Sequence, residues 1–181
     1  MTKLTKRKLL CVIIIVAGLL VDFISKRIIA TEMALHQSIP LWRGVLHITY
    51  VQNRGAAFGM MAGSRWVFIT VSSAAIIAFC VYLILTKTAR PLWIYSLAMM
   101  ASGGIGNMID RIWLGYVVDF IDFTLINFAV FNIADSLICI GAALMMLDLV
   151  FDFIETSKQL KNEKSAQSAE VEVNDTDSSS L

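Results

Sequence analysis

The chain has 181 residues, of which 57% are hydrophobic and only 16% charged, and its mean hydropathy is +0.73. That is far more apolar than a soluble domain can hide in its interior, so most of this surface must face lipid. The formal net charge is +1 and no concentrated basic stripe is present, which argues against a nucleic-acid-binding module and leaves no nucleic-acid partner to expect.

Along the chain, Lys3, Lys6, Arg7 and Lys8 precede a first apolar segment of roughly Leu9 to Ala30, and about 20 helical residues suffice to cross a bilayer. A basic start and an apolar run also suit a cleavable signal peptide. However, Asp22, Ser25 and Lys26 follow without a small-residue cleavage site, so the segment is expected to stay as a span. In the loop from Thr31 to Arg65, Leu46, Ile48 and Tyr50 alternate with His47, Thr49 and Val51, which predicts a short strand on the membrane surface. It leads into Asn53 to Gly59, where glycines and alanines permit a tight turn or close backbone approach.

A second span runs over roughly Trp66 to Thr86 and a third over Leu92 to Trp113. The stretch from Gly115 to Phe123 then reads as a second interfacial strand, and a fourth span covers Phe128 to Phe153. Lys87 and Arg90 lie between the second and third spans, and Lys158, Lys161 and Lys164 follow the fourth, so the positive-inside rule puts both termini in the cytoplasm. The expected fold is an all-α membrane protein with four transmembrane helices, a small extracytoplasmic β-sheet and surface loops. Its membrane domain covers residues 1–156, and residues 157–181 are too polar to bury a core and are expected to form a disordered cytoplasmic tail.

Ionisable side chains inside spans cost several kcal/mol unless paired or wetted, so each is a functional candidate. Asp22 and Lys26 are four apart on one helix face; Gly103, Asn107, Asp110 and Arg111 share a face of the third helix; Asn132 and Asp135 share a face near the start of the fourth. With both termini inside, these groups and the loops of Asn53 and Asp119 converge at the outer end. For Lys26, Asp122 and the Gly103-Gly104 pair, interfacial anchoring or helix packing is an equal alternative. Asp135, counted from a helix start at Phe128, lies about two turns in, too deep to cap that start. Cys11, Cys80 and Cys139 sit in spans at unrelated spacings and read as buried free thiols, with no Cys/His cluster for a metal. His36 and His47 read as structural or surface residues. The pair left for hydrolysis is two carboxylates.

Five stretches in order, Asp22 to Lys26, Asn53 to Phe58, Gly103 to Arg111, Val117 to Phe120 and Phe131 to Asp135, make the chain resemble bacterial lipoprotein signal peptidase, also called signal peptidase II. The resemblance implies an aspartic dyad at Asp119 and Asp135. It also implies supporting or substrate-binding positions at Asp22, Lys26, Asn53, Asn107, Arg111 and Asn132, with Gly55, Gly104, Asp110 and Ala134 inside the same matched stretches. Phe23 departs from the polar residue that many members carry after the first Asp. Neither metal nor cofactor is implied.

The substrate implied is a prolipoprotein cut just before a diacylglyceryl-modified Cys, at the outer face of a bacterial cytoplasmic membrane, by a monomer in contact with membrane lipids. Asp119 and Asp135 can meet only if the second outer loop folds back. A pair so held shares a proton, one member serving as base on a water and the other as acid. Which one begins protonated stays open, as does whether Arg111 holds a lipid phosphate, the Asp110 carboxylate or the outer loop. An ion-coupled carrier and a non-catalytic scaffold are the rival classes; the carrier would call for mid-membrane charges and paired repeats.

Overall fold

The computed structural model describes residues 2–55, 65–87 and 90–178, with side chains up to residue 162. Its elements are α1 (Lys3–Glu32), β1 (Ser38–Trp42), β2 (Leu46–Asn53), α2 (Arg65–Leu85), α3 (Pro91–Trp113), β3 (Val117–Asp122), a 3₁₀ turn (Thr124–Ile126) and α4 (Ile133–Ser178). Among the described residues, four helices are long and apolar enough to cross a membrane.

α3 is the helix the others gather on. It packs against α1 and α2, and its buried residues include Ala98, Ala101, Ser102, Gly103 and Gly106, small enough to let neighbouring backbones close in. A Cβ on Gly103 would run into the Ala134 carbonyl oxygen of α4, and one on Gly106 would come to 2.5 Å from Asp22 Oδ2 of α1. α2 by contrast has no buried residue, so its apolar side chains form a surface suited to lipid. Pro91 starts α3 at a position where its missing N–H costs nothing. Lys8 donates from Nζ to the Ile84 carbonyl oxygen at 2.9 Å, satisfying one of the last carbonyls of α2.

The strands form one antiparallel sheet in the order β1-β2-β3, with Ile39 opposite Ile48, His47 opposite Asp122 and Val51 opposite Asp119. Met33, Tyr50 and Val118 are buried beneath it, backed by Ile29, Ile48 and Tyr116. β2 and β3 occupy the stretches that the alternating pattern predicts. β1 was not foreseen: its burial is uniformly low and it contains Pro40, which suits an edge strand and blurs the periodic signal.

The fourth helix corrects the sequence reading. It begins at Ile133, not Phe128, because Phe131 is extended and pairs with Ile121. A short apolar run does not by itself distinguish strand from helix. α4 then continues in helical form to Ser178, across the segment expected to be a disordered tail; its Lys, Glu, Gln and Ala residues favour helix, and residues 157–162 are exposed. The chain divides into two compact units, Met1–Leu144 and Met145–Leu181, and the sheet and the site described below belong to the first.

Candidate active site

The route from α3 to α4 decides where the acidic groups meet. Gly115, at φ +81°, turns the chain out of α3, a conformation that only glycine adopts freely. Along β3 successive side chains alternate faces, so Asp119 and Asp122 point opposite ways. Asp122 accepts a hydrogen bond from Thr49 Oγ1 at 2.7 Å, whereas Asp119 faces a cavity. After the 3₁₀ turn the chain reverses through Asn127 in the left-handed region, and the Phe131 carbonyl accepts from Ile121 N–H at 2.8 Å while Phe131 N–H donates back to Ile121 at 3.0 Å. Phe131 also stacks on Phe123, with ring centroids 5.8 Å apart. The connection between α3 and α4 therefore does fold back, and Asn132, the next residue, opens α4.

Asn132 and Asp135 form a reciprocal cap on that helix. The Asp135 N–H donates to Asn132 Oδ1 at 3.0 Å, and the Asn132 N–H donates to Asp135 Oδ2 at 3.2 Å. Asp135 is thus in the first turn and does cap the start, contrary to the depth inferred from a helix beginning at Phe128. The fully buried Asn132 side chain donates from Nδ2 to Asp119 Oδ1 at 2.6 Å, so one residue links both carboxyl groups. The other oxygens are also held: Asn53 Nδ2 donates to Asp119 Oδ2 at 2.9 Å and Asn107 Nδ2 to Asp135 Oδ1 at 2.7 Å.

Behind this layer is a buried ion cluster. Lys26 Nζ is 2.8 Å from Asp22 Oδ2 and 3.0 Å from Asp110 Oδ2, and it donates to Asn107 Oδ1 at 2.9 Å. Asp22 in turn accepts from the Ala134 N–H of α4 at 2.9 Å, and Asp110 accepts from the Val118 N–H of β3 at 3.3 Å. A buried cation with two carboxylates is tolerable here because each member has further hydrogen bonds.

A cavity of about 590 Å³ opens in front of the pair, lined by Asn53, Gly55, Gly104, Asn107, Arg111, Asp119 and Asp135, with apolar walls from Phe68, Val117, Phe128, Val130 and Phe131. Asp22, Lys26, Asp110, Asn132 and Ala134 do not line it; they position those that do. Arg111 donates to the Gly55 carbonyl at 3.1 Å and to the Asn107 carbonyl at 3.3 Å, with its guanidinium carbon 4.9 Å from the Phe68 ring centre. Arg111 thus holds the loop between β2 and α2 through the Gly55 carbonyl, while Asp110 is engaged by Lys26. Ala56, Ala57 and Phe58 of the matched stretch, and Gly59 after them, lie outside the described residues. Sequence reasoning missed the cavity walls from α2 and from Phe128 to Phe131, whose apolar side chains carry no sequence signal distinguishing wall from lipid face. It also missed Cys139, which was expected to be buried but is exposed and lines the cavity.

Burial pushes the Asp119 carboxyl up, and the neighbouring Asp135 charge pushes it further, to about 7, against the donations from Asn53 and Asn132. A carboxyl group that holds a proton near neutrality beside a second carboxyl group is equipped for general acid–base chemistry.

Residues 14–151 match the model of the family described as Signal peptidase (SPase) II. The chain is similar to proteins named lipoprotein signal peptidase from Brevibacillus brevis, 41% identical over 72% of this chain and 88% of that one, and from Halothermothrix orenii, 41% identical over 76% and 92%. It is also similar to two solved structures described as bacterial membrane enzymes, both 33% identical. One has a TM-score of 0.75 over 79% of this chain and 88% of that one, the other 0.70 over 77% and 91%.

Proposed function

This chain belongs to the signal peptidase II family, and from that premise we propose that it removes the signal peptide from prolipoproteins by hydrolysis at Asp119 and Asp135, cutting just before a diacylglyceryl-modified Cys. The observation that carries the mechanism is the Asn132 link, which holds both carboxyl groups on one cavity wall. In the reaction, Asp135 takes a proton from a water as its oxygen attacks the scissile carbonyl, and Asp119 gives its proton to the carbonyl oxygen. The tetrahedral species collapses as Asp135 passes the water-derived proton to the amide nitrogen, Asp119 recovers a proton from a hydroxyl of the diol, and the C–N bond breaks. The products are a carboxyl end on the signal peptide and a free amine on the lipid-bearing Cys. Two carboxyl groups and one water balance every proton, with no metal or organic cofactor.

The apolar spans support a multi-pass membrane protein. The cationic residues in the first turns of α1, between α2 and α3 and after residue 157 support cytoplasmic termini in a bacterial cytoplasmic membrane, with the dyad facing outward. A cavity at the end of a span suits a substrate that emerges from the bilayer while its lipid chains stay there.

Incubating purified protein with a prolipoprotein that does or does not carry the diacylglyceryl group, and weighing the products by mass spectrometry, tests this reading. A cut immediately before the modified Cys, and none in the unmodified form, is expected. Equal cutting of both forms, or cutting elsewhere, contradicts it.

A further inference from the structure

Helical glycines in this protein mostly have a packing reason. A Cβ on Gly18 would strike Ser102 Oγ, one on Gly103 the Ala134 carbonyl, one on Gly106 the Asp22 carboxylate, and one on Gly141 would lie 2.8 Å from the Ser96 carbonyl oxygen. Among the described residues Gly104 has none: its added Cβ would meet only Ile76 Cδ1 and Cγ1 there, each at 3.5 Å, an ordinary contact. Glycine weakens a helix interior relative to alanine, so a glycine that packing does not require needs another explanation. The one available is that Gly104 is part of the cavity wall, between Phe68 and Ser72 of α2 and Ile138 and Cys139 of α4.

Its position says what fills that space. Gly104 precedes Asn107, which holds Asp135, by one helical turn, on the order of 4–5 Å toward the membrane interior. An extended peptide rises about 3.3 Å per residue, so a chain whose scissile bond lies at the carboxyl pair passes Gly104 one or two residues away. The membrane side is the side from which the signal segment arrives. The diacylglyceryl group hangs from the residue on the other side of the cut.

Building on the peptidase reading above, we infer that the space left open by Gly104 is the subsite for a side chain of the signal segment just before the cut, and that Gly104 sets how large that side chain can be. Narrowing the wall by one methyl group then acts on the peptide and not on the lipid. The test compares the parent chain with Gly104→Ala on diacylglyceryl-modified prolipoproteins that carry glycine, alanine or serine at each of the two positions before the cut, each prepared with short and with long acyl chains.

Gly104→Ala melts at or above the parent temperature. Its kcat/KM falls about ten-fold or more for the larger side chain at one of these positions but less than about three-fold for glycine there, since one methylene in a pocket discriminates on that scale. The ratio is independent of acyl length. Equal losses on all peptides, losses that follow acyl length, or a lower melting temperature overturn the inference while the parent stays active. A parent that cuts none of these substrates overturns the peptidase reading, and this inference with it.

Discussion

Three asparagines hold the dyad, and each has its amide oxygen anchored by a group that can only donate. Asn53 Oδ1 accepts from Gly55 N–H at 2.9 Å, Asn107 Oδ1 from the Lys26 ammonium at 2.9 Å, and Asn132 Oδ1 from Asp135 N–H at 3.0 Å. The amide nitrogen is therefore the end turned toward a carboxyl oxygen in every case. These donors favour the ionised form, yet on Asp119 burial and the Asp135 charge win, and the group is raised from 3.8 to about 7. Because the proposed reaction starts with Asp119 protonated, kcat/KM should fall as pH rises through about 7, which a pH–rate profile measures. Stability follows the same sign. A raised acid binds its proton in the folded state after the unfolded chain has released it, so its contribution is complete below about 3.8 and is lost by about 7. A melting temperature that rises over that interval because of Asp119 would contradict the assignment.

The ion cluster is what makes the elements one structure. Lys26 on α1 meets Asp110 on α3, Asp110 takes the first part of β3 through Val118 N–H, and Asp22 occupies the N-terminus of α4, where a negative group also suits the helix dipole. Lys26→Met leaves two buried carboxylates without their cation and should cost about 3–5 kcal/mol, read as a large fall in melting temperature. Asp22→Asn in the Lys26→Met background should recover part of it, and a Lys26→Met chain as stable as the parent would show that the cluster is not a tie. The four-residue spacing of Asp22 and Lys26, and the shared face of Asn107 and Asp110, could be read from periodicity. Which face meets which could not, because spacing along one helix says nothing about the partner across a packing interface. The helix start at Asn132 was also written in the sequence, as an Asn followed three residues later by Asp. The run from Phe128 to Phe131 masked it, since hydropathy alone continues the span upstream.

For the whole molecule, hydropathy and the clusters of Lys and Arg carried the reading: four spans, with Trp42, Trp66 and Trp113 exposed where chain segments meet the expected outer interface. On the proposed topology, in a background lacking Cys11, Cys80 and Cys139, a membrane-impermeant maleimide added to intact cells should label Arg43→Cys on the hairpin and spare Thr2→Cys. The reverse pattern would invert the protein and move the dyad to the cytoplasmic side. What the family resemblance added was the choice of Asp119 over Asp122, which composition could not make and which the alternation of β3 explains. The most direct test of the account is cleavage of a diacylglyceryl-modified prolipoprotein by purified parent, Asp119→Asn, Asp135→Asn and Asp122→Asn proteins, each checked for folding by its melting curve. Folded Asp119→Asn and Asp135→Asn proteins that no longer cut, beside an Asp122→Asn protein that retains activity, are predicted; folded Asp119→Asn or Asp135→Asn protein cutting at the parent rate would contradict the aspartic mechanism.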